Sequence, residues 1–453
     1  MGPALALVTL VASLGVAGAA AATPASTTTA AAPAAAAAVP AAAAVGTPPR
    51  NFAVLPGSYF SFPNSTTARK YNIRNRVLYT VQGTWGGPKG AYGQPVAGNG
   101  SIRIATWSFD DMTMAKALVA AKNRGVSVQV VAAAQRNEDN RPWAYLQRYL
   151  GINRYVPGHP ETQETASFAR QCRGSCRGSG GTPHSKFFLF DNVGSSHKRS
   201  IVMQSSMNLT TFAVQGQWNQ AQVSWGSPYW SHHMGIFRQM RVGSPVSVPY
   251  RRYTYGNVDD LFFPKPGTSA GTDPVMQTLN RVSCAGGTSI RVIQYAIYDS
   301  RGVWLAKRLK ALKNAGCNVS IIYSLITRPV LTILRGIPMR QSVIKNSKGE
   351  IVKYNHSKWM TIVGNWGGQR SYVTFSGSAN WSNAAFGNDE QMQQIQSYNV
   401  AKAHLANFSA TWRQGSSRPP SFGRTMVNGR ATLATPEDAT FGEGMYKYMT
   451  PNG

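Results

Sequence analysis

Acidic side chains are scarce in this chain: 17 Asp and Glu stand against 46 Lys and Arg, a formal net charge of +29 over 453 residues. Such an excess of one sign marks a surface that attracts polyanions, either nucleic acid or a membrane rich in anionic lipid. Solubility, or general adhesion to acidic cell surfaces, is the plainer reading of the same charge. Charge of either sign is missing altogether before Arg50. Residues 1–22 are apolar and small, the pattern of a secretion signal cleaved near Ala22, although the basic segment that usually opens such a signal is missing too. Residues 23–50, dominated by Ala, Pro and Thr, cannot bury a core and read as a disordered spacer. After the first segment no stretch is long and apolar enough to span a bilayer, so the expectation is a soluble, secreted, extracellular protein.

Cysteine is rare as well, at four residues, and four cysteines allow only three pairings. In an oxidising compartment they make two disulfides, and sequence order favours Cys172 with Cys176 and Cys284 with Cys317. A metal site from Cys172, Cys176 and His184 is the competing idea, but its spacing matches no usual zinc pattern, and we expect neither metal nor cofactor. A hydrophobic content of 43% and a mean hydropathy of -0.23 exclude a fibrous or disordered whole. The length suits two ordinary domains or one large fused unit.

What the chain does have is repetition. His184-Ser-Lys186 is followed by Ser205-Ser206-Met207-Asn208, and His356-Ser-Lys358 by Gly377-Ser378-Ala379-Asn380. The step from His to Asn is 24 positions in both (208 - 184 and 380 - 356). Upstream, Ser101 to Asp111 is echoed by Ser289 to Asp299, each an apolar strand ending in an acid. Each is followed by a helical pattern, with Met114, Leu118 and Ala121 on one face in the first and Leu305, Leu309 and Leu312 in the second. Gly125 and Gly316 end the helices, and β-rich runs follow at 126–131 and 319–323. Strand, helix, strand and His-x-Lys strand, twice over, describe two α/β halves. Asp111 and Asp299 read best as helix N-caps.

Period-2 alternation puts His184 and Lys186 on one strand face, and His356 and Lys358 on another. An imidazole and an ammonium side by side suit a phosphoryl group, the His attacking phosphorus or moving a proton while the Lys neutralises an oxygen. Two halves face to face would supply a nucleophile and an acid, with two lysines and two Asn amides around the developing charge.

These paired motifs, His184-x-Lys186-x4-Asp191 with Asn208, and His356-x-Lys358 with Gly377-Ser378-x-Asn380-Trp381-Ser382, resemble the two active-site motifs of the phospholipase D superfamily. The resemblance runs from about residue 95 to about 400. It implies an α/β fold of two pseudo-twofold-related lobes, each a mixed sheet flanked by helices, with one active site between them. It also implies a metal-independent reaction through a phosphohistidine, with His184 as nucleophile and His356 as acid, or the reverse. Val363 stands where the second motif should carry its acid, so Asp191 in the first is read as structural, since it lies on the opposite strand face from His184. Ser205 replaces the glycine found at 377. Ser206, Ser378 and Gln220 are supporting candidates, and Glu390 takes the place of the carboxylate that orients a histidine. The first-half counterpart, Trp218 to Gln222, has no acid.

The organisation expected is therefore signal 1–22, spacer 23–50, first lobe 51–270, second lobe 271–430 and tail 431–453. A secreted phospholipase D acting on glycerophospholipid head groups is the leading reading, with Trp225, Tyr229 and Trp230 as candidates to touch a membrane, although core packing is the better account of them. A nucleic-acid phosphodiesterase of the same superfamily and a catalytically idle polyanion-binding protein are the alternatives. The partners expected are a phospholipid or other phosphodiester substrate, an anionic membrane surface or nucleic acid, and no second copy. A final helix is read near Lys402 to Arg413.

Overall fold

Both echoed stretches are strands in the computed structural model, which describes residues 52–137, 140–348 and 350–417 and the backbone of two short strands, Arg424–Val427 and Arg430–Leu433. The signal at 1–22, the spacer at 23–50 and the tail from 434 onward lie outside the described residues. The first half supplies β1 (Gly57–Ser61), β2 (Ser101–Ala105), β3 (Ser127–Ala133), β4 (Phe168–Cys172), β5 (Phe187–Asp191), β6 (Ile201–Ser205) and β7 (Gln217–Trp225). A hairpin, β8 (Arg251–Tyr255) and β9 (Val258–Phe262), follows. The second half supplies β10 (Ser289–Ile297), β11 (Asn318–Ile326), β12 (Met339–Gln341), β13 (Val343–Lys345), β14 (Ile351–Asn355), β15 (Lys358–Trp366), β16 (Gln369–Gly377) and β17 (Gln391–Gln396).

Five strands of each sheet run in the same order, β3-β2-β5-β6-β7 in one and β11-β10-β15-β16-β17 in the other. In each, two parallel strands flank a helix, Met112–Asn123 or Asp299–Asn314, and antiparallel pairings complete the sheet. Met114, Leu118 and Ala121, and Leu305, Leu309 and Leu312, are all buried. Gly125 and Gly316, with φ of 91° and 97°, make the turn out of each helix that a side chain would strain. Strand alternation splits β5 between two cores: Phe188 and Phe190 join the one under Met112–Asn123, and Phe187 and Leu189 the one under Ser227–Met240. Tyr229 and Trp230 pack against that second core and Trp225 against the first, the packing role expected of them. The last helix runs from Tyr398 to Gln414.

The sheets exchange strands, which the division at residue 270 did not anticipate. β9 pairs with β17, so the hairpin 251–262 completes the second sheet, while β14 pairs with β7 and carries residues 343–355 into the first. The reason is local. β17 ends its repeat with an open edge that β9 covers, and at β7, whose Asn219–Val223 edge pairs with β1, β14 covers the Gln217–Trp218 end. The disulfides are Cys172–Cys176 and Cys284–Cys317, the second joining the segments that lead into β10 and β11. Asp111 is an N-cap, accepting from Met114 N at 3.0 Å, and it is ion-paired with Arg74 at 2.8 Å. Asp299 is not: it lies inside the helix start with φ of 59°, and its carboxylate accepts from Asn383 N at 3.3 Å, bracing the turn after Asn380.

Candidate active site

Each His-x-Lys segment leans on the other lobe. β5 begins only at Phe187, so His184 and Lys186 precede the strand expected to carry them. His184 N donates to Asp389 O at 2.9 Å, and His356 N donates to Trp218 O at 2.8 Å. Two glutamines fix the lysines in the same crossed manner. Gln391 accepts from Lys186 N at 3.0 Å and donates to Lys186 O and Ser205 O, both at 3.1 Å. Gln220 accepts from Lys358 N at 3.2 Å and donates to Gly377 O at 2.9 Å. The backbones at Gly377 and Gln391 approach so closely that a Cβ on Gly377 would sit 2.2 Å from Gln391 O. At the equivalent place in the first lobe there is room for Ser205, whose hydroxyl donates to Gln220 O at 2.7 Å.

The crossing brings His184, His356, Asn208, Asn380 and Glu390 to the wall of one cavity of ≈ 280 Å³. Trp107, Tyr295, Tyr298 and Tyr354 complete much of that wall, and Arg136 stands on it. Trp107 and Tyr295 occupy matching places in the echoed strands, and each meets its lobe's histidine edge to face, at 5.4 and 4.8 Å between ring centroids. Lys186 and Lys358 are buried beneath, and each spends one proton on the carbonyl of its own histidine, at 2.5 and 2.6 Å. The amide oxygens of Asn208 and Asn380 are buried without a partner among the described residues.

The histidines differ in what holds Nδ1. Both oxygens of Glu390, at 2.8 and 2.9 Å, accept from His184, and the Ser378 hydroxyl donates to the same carboxylate. Sequence logic placed Glu390 beside a histidine, and the histidine it meets belongs to the opposite lobe. His356 has a neutral partner, the Asn219 amide oxygen at 3.2 Å, which also accepts from Ser206 at 2.8 Å. Ser206 and Ser378 are thus equivalent, as are Asn219 and Glu390. Asn219, Gln391, Trp107, Tyr295 and Arg136 were not singled out from the sequence. The signal for the first two was present: Asn219-Gln220-Ala221-Gln222 reads against Glu390-Gln391-Met392-Gln393. Asp191 takes no part in the cavity; at the end of β5 it binds Arg199 at 2.6 Å and accepts from Ser200 N.

Burial governs the electrostatics. It lowers His184 to about 4, with Glu390 opposing and Lys186 reinforcing, and lowers Lys186 to about 7, again against Glu390. His356 and Lys358 are both lowered well below their ordinary values, by burial first and then by the neighbouring cations. Burial alone would raise Glu390, but His184 and Lys186 outweigh it and keep the carboxylate ionised. Asp389, whose carboxylate accepts from Ser175 Oγ and Cys176 N, is raised by burial to about 7. With Cys172 and Cys176 joined, neither sulfur is free as a metal ligand. The site therefore has what one-phosphorus chemistry needs: two imidazoles, two lysine amines and two amides around one cavity.

The family model described as cardiolipin synthase, PLD-like domain, matches residues 97–241 and 278–412, which include both motifs. No curated protein matches the chain. Among solved structures, polyphosphate kinase from Porphyromonas gingivalis is similar with a TM-score of 0.50 at 12% identity, over 79% of this chain and 50% of that one. This chain thus spans about half of that protein's length. Phosphatidylserine synthase from Haemophilus influenzae Rd KW20 gives 0.48 at 12% identity, over 80% and 87%. Nuc from Salmonella typhimurium, described as a phospholipase D family member, gives 0.28 at 21% identity, over 40% and 91%. Those likenesses concern the fold, whereas the family match covers most of the chain in two copies, and so this protein belongs to the phospholipase D superfamily, with that superfamily's phosphodiesterase fold.

Proposed function

We propose that this chain is an exported phosphodiesterase of phospholipase D type, which removes the head group of a glycerophospholipid through a phosphohistidine. The observation that carries the reading is the meeting of two buried imidazoles at one cavity on unlike partners, Glu390 and Asn219. His184 is the nucleophile. Its Nε2 attacks phosphorus while the bond to the head-group oxygen breaks, and the imidazole, now cationic, keeps its Nδ1 proton against the Glu390 carboxylate. Asn219 offers no such charge, so His356 holds a proton more loosely and passes it to the leaving oxygen. Water then attacks the same phosphorus, the P–N bond breaks, and His356 takes back a proton. Lys186, Lys358, Asn208 and Asn380 surround the charge that builds on the non-bridging oxygens.

Burial, and after it the two lysines alongside, hold His356 neutral at pH 7. A phosphodiester brings the negative charge that draws the proton back, so substrate and proton bind together. The aromatic wall supports a lipid substrate, the disulfides are consistent with an extracellular protein, and the positive surface suits an anionic membrane, where the protein acts as a monomer. The same net charge of +29 favours a second reading, a nucleic-acid phosphodiesterase. Purified protein with EDTA, given phosphatidylcholine, phosphatidylglycerol and plasmid DNA, separates them: free head group and phosphatidate support the first, nicked plasmid the second, and inertness on all three refutes both. Protein quenched by detergent at neutral to mildly alkaline pH, where a P–N bond survives, should carry lipid phosphate on His184, and a trapped adduct on His356 reverses the two roles.

A further inference from the structure

The cavity holds one cation that the reaction above does not use. Arg136 ends the 3-10 turn Ala134–Arg136 and lies exposed on the cavity wall, with its Cζ 4.3 Å from the centroid of Trp107. That ring also meets His184 at 5.4 Å, so Arg136 Cζ and the His184 ring centre are at most 9.7 Å apart (4.3 Å plus 5.4 Å). The turn is fixed from both sides. Asn137 is buried, accepts from Phe109 N at 2.8 Å and donates to Ala133 O at 2.6 Å and Trp107 O at 3.1 Å. Gln135 donates to Thr182 Oγ1, on the segment that leads to His184, at 2.9 Å.

Some guanidiniums of the molecule are held by a carboxylate, Arg74 by Asp111, Arg301 by Asp273 and Arg241 by Glu164, and others, Arg76 over Tyr59 and Arg281 over Trp366, by a ring at 3.6 Å. Arg136 donates to no group among the described residues, although its backbone turn and its aromatic plate are fixed. Among the described residues of the cavity wall the one carboxylate, Glu390, is committed to His184, Ser378 and Asn388. A planar guanidinium stacked on an indole, with its N–H edge free, binds a carboxylate or phosphate through paired hydrogen bonds.

We propose that Arg136 is a specificity-determining residue that binds a second oxyanion of the substrate, one carried by the head group beside the scissile phosphodiester. The preferred substrate is then an anionic phospholipid whose head group bears a carboxylate or a further phosphate, and a choline or ethanolamine lipid is a poor one. The proposal rests on the phospholipase reading for the lipid, but not for the subsite itself. The two oxyanions would be gripped by separate parts of one cavity, the diester by the buried lysines and the head group by Arg136 at the exposed wall.

Glycerophosphoserine and glycerophosphoethanolamine differ by one carboxylate and need no membrane. Their binding is measured by titration calorimetry on the full chain carrying His184→Ala, so that neither is consumed, with and without Arg136→Ala or Arg136→Lys; glycerophosphoglycerol phosphate tests a phosphate in the carboxylate's place. The serine diester should bind about 10-fold or more tighter than the ethanolamine diester, and that ratio should collapse toward one in Arg136→Ala and be partly kept in Arg136→Lys. An equal ratio with and without Arg136, or no preference at all, overturns the proposal. A thymidine dinucleotide that outbinds every head-group diester in an Arg136-dependent manner overturns the lipid assignment and gives the oxyanion to nucleic acid. A serine preference in a protein that turns over no lipid leaves the subsite standing and removes the phospholipase reading.

Discussion

Replacing Glu390 by Gln tests the division of labour between the histidines. The carboxylate is buried, with 1% of its surface exposed, and it accepts from His184 at 2.8 and 2.9 Å, from Ser378 and, at 3.3 Å, from Asn388. Glutamine keeps the shape but removes the charge, and its one oxygen cannot serve three donors. A hydrogen bond to a charged group contributes about 1.5 to 3 kcal/mol, and this one faces its full opposite charge only after phosphorus has bonded to His184. The phosphorylation step should therefore slow by about 10- to 150-fold. Substrate binding should change little, because the loss of a negative charge beside the diester is opposed by Lys186, whose proton the Glu390 field helps to hold. The expected signature is a lower kcat with KM little changed, which general damage to the fold would not produce. Rapid-quench measurement of head-group release gives the step directly, with thermal unfolding as the control on folding. A well-folded Glu390→Gln protein whose phosphorylation rate stays within about threefold of the parent refutes the assignment of the carboxylate to the nucleophile.

Asn219→Asp gives His356 the kind of partner His184 has, so the protonated form should persist to higher pH and the falling limb of the kcat/KM profile should move upward. On the proposed mechanism, His356→Ala removes the proton donor but not the nucleophile. Turnover of choline or serine esters should fall by about 100-fold or more, while a p-nitrophenyl diester, whose leaving group needs no proton, is largely spared; equal losses on both refute the acid role. His184 and His404 are buried and held to about 4, below an ordinary histidine near 6.5. The unfolded chain therefore binds protons that the folded chain refuses, so stability falls as pH drops from about 6.5 to about 4, by up to about 3 kcal/mol for each group. Urea midpoints that stay level across that window refute the shifts.

Where the sequence was legible, it was because local chemistry and position agreed. The helices carrying Met114 and Leu305 show their apolar faces in the spacing, and a glycine at positive φ ends each. The cysteine pairing could be read from chain order because the loops closed are short or span a single helix. What could not be read was which lobe each support belongs to. A hydrogen-bonding glutamine looks the same in sequence whether it braces its own sheet or the next, and only assembly shows that Gln220 serves Lys358 and Gln391 serves Lys186. Asp299 misled for a related reason. An acid at the end of a strand before a helix is usually a cap, but here the turn after Asn380 claims its carboxylate.

The crossed supports leave neither repeat with a complete candidate site of its own. A lone first half would retain His184 and Lys186 yet lose Asp389, Glu390 and Gln391, and with them the main-chain partner of the histidine, its carboxylate and the clamp on its lysine. A lone second half would lose Trp218, Asn219 and Gln220 in the same places. The exchanged strands make that dependence structural, since β9 covers the edge of β17 and β14 covers the Gln217–Trp218 end of β7. Duplication alone would give two equal halves. The single departure that matters is a carboxylate at 390 where the first repeat has an amide at 219, because identical fields on both imidazoles would leave nothing to decide which attacks and which donates. One side chain, read across the interface, turns a symmetric frame into a directional reaction.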